Sequence, residues 1–122
     1  MTLRKIRLEL ARGHEYPEGS SSHGYELVAP LAADGHFDAA EWREVKTRCL
    51  VRRFWEGAPD QNGLLVHRGG GWAFDYDKAR KDDDEPLFKL DRHRIVEGDY
   101  LSVTEQDGVQ RTFRIVRVAP FA

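Results

Sequence analysis

Covalent staples are scarce in this chain: one cysteine, one methionine and five prolines among 122 residues. The lone Cys49 excludes an internal disulfide and a zinc site built from several cysteines. No run approaches the roughly 20 apolar residues of a membrane span. The stretch Met1 to Arg7 carries basic residues without an uninterrupted apolar segment behind them, so no secretory leader and no membrane partner are expected. The expected location is the cytoplasm. Charge of one sign is lacking too. Lys and Arg number 19 against 21 Asp and Glu, a net charge of -2, which argues against global attraction to nucleic acid or anionic lipid. No cofactor is implied.

What is present is enough for one core. Hydrophobic residues make up 40% of the chain and include three Trp, six Phe and four Tyr. That suits a single domain over residues 1–122 without disulfide support. Ile6, Leu8 and Leu10 alternate with Lys5, Arg7 and Glu9, the period-2 signature of a half-buried strand. Gly13 to Gly24 reads as a polar loop, and Tyr25 to Leu31 as a second strand that Pro30 places at an edge or near its end.

One helix is predicted, starting at Asp38. Asp38 is its cap, Glu41 stands three residues on as in a capping box, and Phe37 and Trp42 hold the positions of a hydrophobic staple. Alternation takes over by Val45: Val45, Thr47, Cys49 and Val51 face one way, Lys46, Arg48 and Arg52 the other. Leu64 to Asp77, interrupted by Gly69-Gly70-Gly71, reads as a β-hairpin because glycine tolerates the positive φ of a tight turn. The run Asp82-Asp83-Asp84-Glu85 reads as a solvated loop, and Leu87 to Leu90 as a short strand. Tyr100 to Thr104 and Thr112 to Val118 form a final hairpin. A three-residue loop ending at Gly108 puts Leu101, Val103, Phe113 and Ile115 on one face, and is preferred over a two-residue turn for that reason. About seven short strands and one helix predict a mainly β fold, a small antiparallel β-barrel or a two-sheet sandwich.

Three sets of residues carry candidate chemistry. If all three glycines form the loop, Arg68 lies opposite Trp72, and His67, Asp75 and Asp77 share a face as a ligand or metal candidate. A His–Asp pair orients a general base or begins a metal site. With a Gly69-Gly70 turn instead, His67 and Asp75 fall on opposite faces. Lys46, Arg48 and Arg52 form a basic stripe near Phe54 and Trp55, the nucleic-acid candidate. His14 and His23 share a loop with Glu15 and Glu18, a further place for a metal, against the plainer reading of polar loop residues. Cys49, among alternating apolar neighbours, is expected to be buried and inert.

The segment Arg94-Ile-Val-Glu-Gly-Asp-Tyr-Leu-Ser-Val, followed by Thr112-Phe-Arg-Ile-Val-Arg-Val, resembles the Gly-Asp turn-and-strand element of PUA-like domains, including the ASCH group. That resemblance covers about the last quarter of the chain and implies a small barrel often associated with RNA. Phe37-Asp-Ala-Ala-Glu-Trp, Cys49-Leu-Val-Arg-Arg-Phe-Trp and the Gly69–Asp77 block resemble small bacterial proteins of unknown function, a likeness that transfers no functional residue. The leading expectation is a non-enzymatic module that binds a small ligand or a protein partner. The alternatives are a metal-dependent or acid–base enzyme centred on His67 and Asp75, and a PUA-like RNA-binding module.

Overall fold

In a computed structural model, which describes residues 3–76 and 84–121, the alternating segments close into an eight-stranded antiparallel barrel. The strands are β1 (Leu3–Leu10), β2 (Ser20–Pro30), β3 (Leu50–Trp55), β4 (Ala58–Arg68), β5 (Gly71–Asp75), β6 (Glu85–Leu87), β7 (Tyr100–Thr104) and β8 (Gln110–Pro120). Each pairs with the next, and β1 pairs with β8 to complete the ring. Closure decides between the barrel and the sandwich. Ile6, Leu8, Leu27, Val51, Leu65, Phe74, Leu101, Val103, Phe113 and Ile115 fill the interior, as period-2 alternation requires. Among the described residues no helix is long and apolar enough to cross a membrane.

The C-terminal hairpin has the expected register. Leu101 pairs with Phe113, the Ile115 amide donates to the Asp99 carbonyl at 2.7 Å, and Gly108 takes the positive φ of 82°. The glycine hairpin takes the second of the two turns open to it. Its turn is the two residues Gly69 and Gly70, at φ 62° and 78°, so Arg68 pairs with Gly71 and His67 with Trp72. A two-residue turn with both φ values positive matches the twist of the flanking strands. It also lets Trp72 and Phe74 be buried, which the three-glycine loop would have placed on a different face from Leu65.

The helix α1 (Ala39–Val45) starts where expected: the Glu41 amide donates to the Asp38 carboxylate at 3.0 Å. The Asp38 amide is taken by the Pro30 carbonyl, which leaves no partner for the reciprocal half of a capping box. The staple closes through a third ring. Phe37 and Trp42 both pack edge-on against Trp72, at 4.6 and 4.8 Å between centroids. Residues Lys46–Arg48 continue as a 3-10 turn rather than a strand, and Cys49 begins the extended run into β3. The predicted strand over Val45 to Cys49 is therefore replaced by helical turns, because docking Trp42 on the barrel end keeps the chain coiled until Cys49 is buried. Strand β2 begins earlier than predicted, at Ser20, and the expected strand over Leu87 to Leu90 ends at Leu87 before a 3-10 turn.

Removing the cap tests how far α1 is held by its own terminus. Asp38→Ala is expected to lower stability by about 1 kcal/mol in urea denaturation. An unchanged midpoint would show that the docked Trp42 alone holds the helix.

Candidate functional site

Inward-facing positions at the end of the barrel away from α1 are polar. Tyr25 on β2, Arg53 on β3, Tyr76 just past β5, Glu85 on β6, Glu105 just past β7 and Arg111 on β8 all follow the alternation of their strands into one cluster. Glu85 is 0% exposed, Tyr25 0% and Glu105 3%. Glu105 accepts from Arg53 at 3.2 and 3.3 Å and from Arg111 at 2.9 Å, so two guanidiniums converge on its carboxyl group. Glu85 lies 3.5 Å from the Arg53 Nε and accepts from the Tyr76 hydroxyl at 2.6 Å and the Gln106 amide at 3.2 Å.

The Tyr25 hydroxyl stands 2.5 Å from Glu105 and 2.9 Å from Glu85. It has one proton, and two ionised carboxylates would each need it. The Tyr25 hydroxyl lies within donating distance of both carboxyls, and its single proton serves one of them at a time. Burial pushes the Glu85 carboxyl above its ordinary range, against the opposing pull of Tyr76, Tyr25 and Arg53. Burial and the nearby carboxylates push both phenols upward as well, so they remain donors.

Arg111 carries the cluster outward. Its Nε and Nη2 donate to the two carboxylate oxygens of Glu15 at 2.8 and 3.1 Å, and the Glu15 carboxyl is held below its usual range by that fork. Glu15 belongs to the loop between β1 and β2, which His23 fastens from below. The Ser20 hydroxyl accepts from the Ser22 amide at 3.1 Å and shares a hydrogen bond with His23 Nδ1 at 2.6 Å. His23 Nε2 shares a hydrogen bond with the Tyr16 hydroxyl at 3.2 Å, and the Trp55 ring meets the imidazole edge-on at 4.4 Å. His23 is 2% exposed, with both nitrogens used. Together with Glu15 on Arg111, this removes the loop as a metal site built on His14, His23, Glu15 and Glu18.

Held in this way, the loop overhangs the outer face of β8 and walls a groove of about 1270 Å³. Its floor is Thr112, Arg114 and Val116, with Tyr100 on one flank and Arg12, Glu18 and Ser20 on the other. Arg12 and Arg114 are exposed and make no ion pair or side-chain hydrogen bond with any described residue. Glu9, at the edge, is taken by Arg7 at 2.7 Å. Tyr100 is 55% exposed on this open surface.

The other predicted sites are not assembled. The two-residue glycine turn puts His67 and Asp75 on opposite faces of the hairpin: His67 stacks on Trp72 at 4.6 Å, while Asp75 accepts from Arg68 at 2.7 Å. Asp77 lies outside the described residues. Among the described residues no group of three His, Cys, Asp or Glu side chains is placed to hold a metal. The basic stripe is also dissolved. Lys46 and Arg48 sit on the 3-10 turn, and Arg52 on β3 is engaged by Glu26 at 2.5 Å and Asp60 at 2.8 Å. Phe54 is roofed by Arg7 and Arg52, with guanidinium carbons 4.4 and 5.2 Å from its ring centre. Cys49 is fully buried and its thiol is pushed up to about 11 by burial, which suits the inert role expected of it.

The cluster went unread in the sequence for two reasons. Glu85 closes an acidic run whose composition points to solvent, and Asp82 and Asp83 lie outside the described residues. Arg53 follows Arg52 and looks like its surface twin. The signal was alternation: continuing inward from Val51 reaches Arg53, and from Val103 reaches Glu105.

The upward push on the Glu85 carboxyl has a measurable consequence. An acid whose folded pKa lies above its unfolded value stabilises the fold fully below the unfolded pKa and loses that contribution as pH rises through the folded one. Glu85→Gln mimics the neutral form, so it is expected to fold and to gain on the parent as pH rises above about 4.5, by up to about 1.4 kcal/mol per pH unit. Denaturation curves at several pH values read this difference, and a difference independent of pH would show that Glu85 is ionised in the fold. Compared with family models, with curated proteins and with solved structures, the chain has no match in any of the three.

Proposed function

We propose that this protein is a non-enzymatic binding module whose ligand, a small molecule or a segment of a protein partner, lies in the groove between the β1–β2 loop and β8. One observation carries this reading: two guanidiniums unpaired among the described residues and an exposed tyrosine face a groove whose overhanging wall is held by Arg111 and His23. Ordering the wall before the ligand arrives lowers the entropic cost of binding.

The groups with displaced proton affinities favour binding over catalysis. Tyr25 and Glu85 are sealed inside the barrel end, out of a substrate's reach, and a general acid or base must come within hydrogen-bond distance of the proton it moves. A single buried cysteine suits a reducing compartment such as the cytoplasm.

Thermal denaturation against a panel of small carboxylates, phosphates, sugars and short peptides tests the reading. At least one class is expected to raise the midpoint of the parent protein, with the rise lost in an Arg12→Ala, Arg114→Ala double variant that melts normally by itself. A panel without any effect, or a shift that survives in the double variant, would remove the groove as the binding site.

A further inference from the structure

The groove's chemistry narrows its occupant. We infer that it takes a short acidic segment of a protein partner in extended conformation, laid along β8 with its carboxylates on Arg12 and Arg114. This rests on the reading of the groove as the binding site.

Length is the first argument. From Thr112 to Val116 the floor runs along a β-strand for about 13 Å at roughly 3.3 Å per residue, which matches four or five residues of extended peptide. The floor presents Thr112 and Arg114, outward positions two residues apart on β8, and then Val116 at the bulge where the pairing with β1 shifts. An extended chain has the same period, so its alternate side chains meet Thr112 and Arg114 in turn.

Charge is the second. With Glu9 occupied by Arg7, the lining holds the two free guanidiniums of Arg12 and Arg114 against one carboxylate, Glu18. Guanidinium groups match carboxylates through paired N–H donors. Two cations suit a segment with one or two acidic side chains. They do not suit a polyanion, which brings a charge at every nucleotide and meets Glu18 in the wall. Tyr100 beside Arg114 adds an exposed ring on which an apolar or aromatic neighbour of the acidic residue can pack.

Fluorescence anisotropy with labelled, end-blocked serine hexapeptides in which two positions are replaced by glutamate, by glutamine or by lysine, beside a uridine hexanucleotide, tests the inference. The glutamate peptide is expected to bind and to weaken as salt rises. It is expected to lose about tenfold or more in Arg114→Ala and in Arg12→Ala, and to bind more tightly in Glu18→Gln. Arg48→Ala, far from the groove, is the control and is expected to bind as the parent does. Equal binding of the glutamine peptide, or preference for the lysine peptide or the oligonucleotide with loss in Arg114→Ala, would overturn the acidic-peptide assignment and leave the groove as a binding site. Failure of all four probes would overturn the assignment too, and the small-molecule panel then decides whether the groove binds anything. Loss of glutamate binding in the Arg48 control would reduce the effect to general surface charge and defeat the inference.

Discussion

One hydroxyl proton between two buried carboxylates governs an entire end of this barrel. Tyr25 has one proton for Glu85 and Glu105, and the guanidiniums of Arg53 and Arg111 converge on Glu105. Four strands and two strand ends meet at this point, and each contributes a side chain that alternation aims inward. Buried ion pairs of this kind add little net stability over an apolar packing of equal volume. What they restrict is the set of arrangements. Shifting any participating strand by one residue turns its polar group outward and strands the others in a dry interior.

The same network ties the interior to the outer wall. Arg111 has one side on Glu105 inside the barrel and the other on Glu15 in the β1–β2 loop, so loop position follows from core charge balance. His23 fixes the loop a second time through Ser20 and Tyr16. A surface loop would ordinarily be the mobile part of a small barrel. Here one anchor, His23, is among the most buried polar groups of the described residues, and the other, Arg111, joins the exposed Glu15 to the buried Glu105.

Much of this architecture was legible in the residues. Period-2 runs gave the strands, Asp38 gave the helix start, and burying Leu101 with Phe113 gave the last hairpin its register. The glycine hairpin was not decided by the same reasoning, because Gly69-Gly70-Gly71 permits two turns that differ by one residue. Only the burial of Trp72 and Phe74 together with Leu65 chooses between them, and that choice separates His67 from Asp75. Lys46 and Arg48 were misplaced because their alternation with apolar neighbours is compatible with a strand, while the docking of Trp42 that keeps them helical is a tertiary contact. The groove was hidden for a different reason. Its residues come from β1, the following loop, β7 and β8, and only closure of the ring brings them side by side.

That closure has a kinetic meaning. The seam joins Ile6 to Val118 and Leu8 to Ile115, partners separated by more than a hundred residues, whereas most other strand pairs are neighbours along the chain. Local hairpins can form early, but the ring cannot shut until β8 arrives against β1, and loop-closure entropy makes such distant pairing slow. During that interval β1 and β7 present open edges able to pair with other chains. Unfinished molecules, rather than finished ones, are therefore the form of this protein most prone to aggregate, and a ribosome-bound chain lacking its last strand is the most exposed of them.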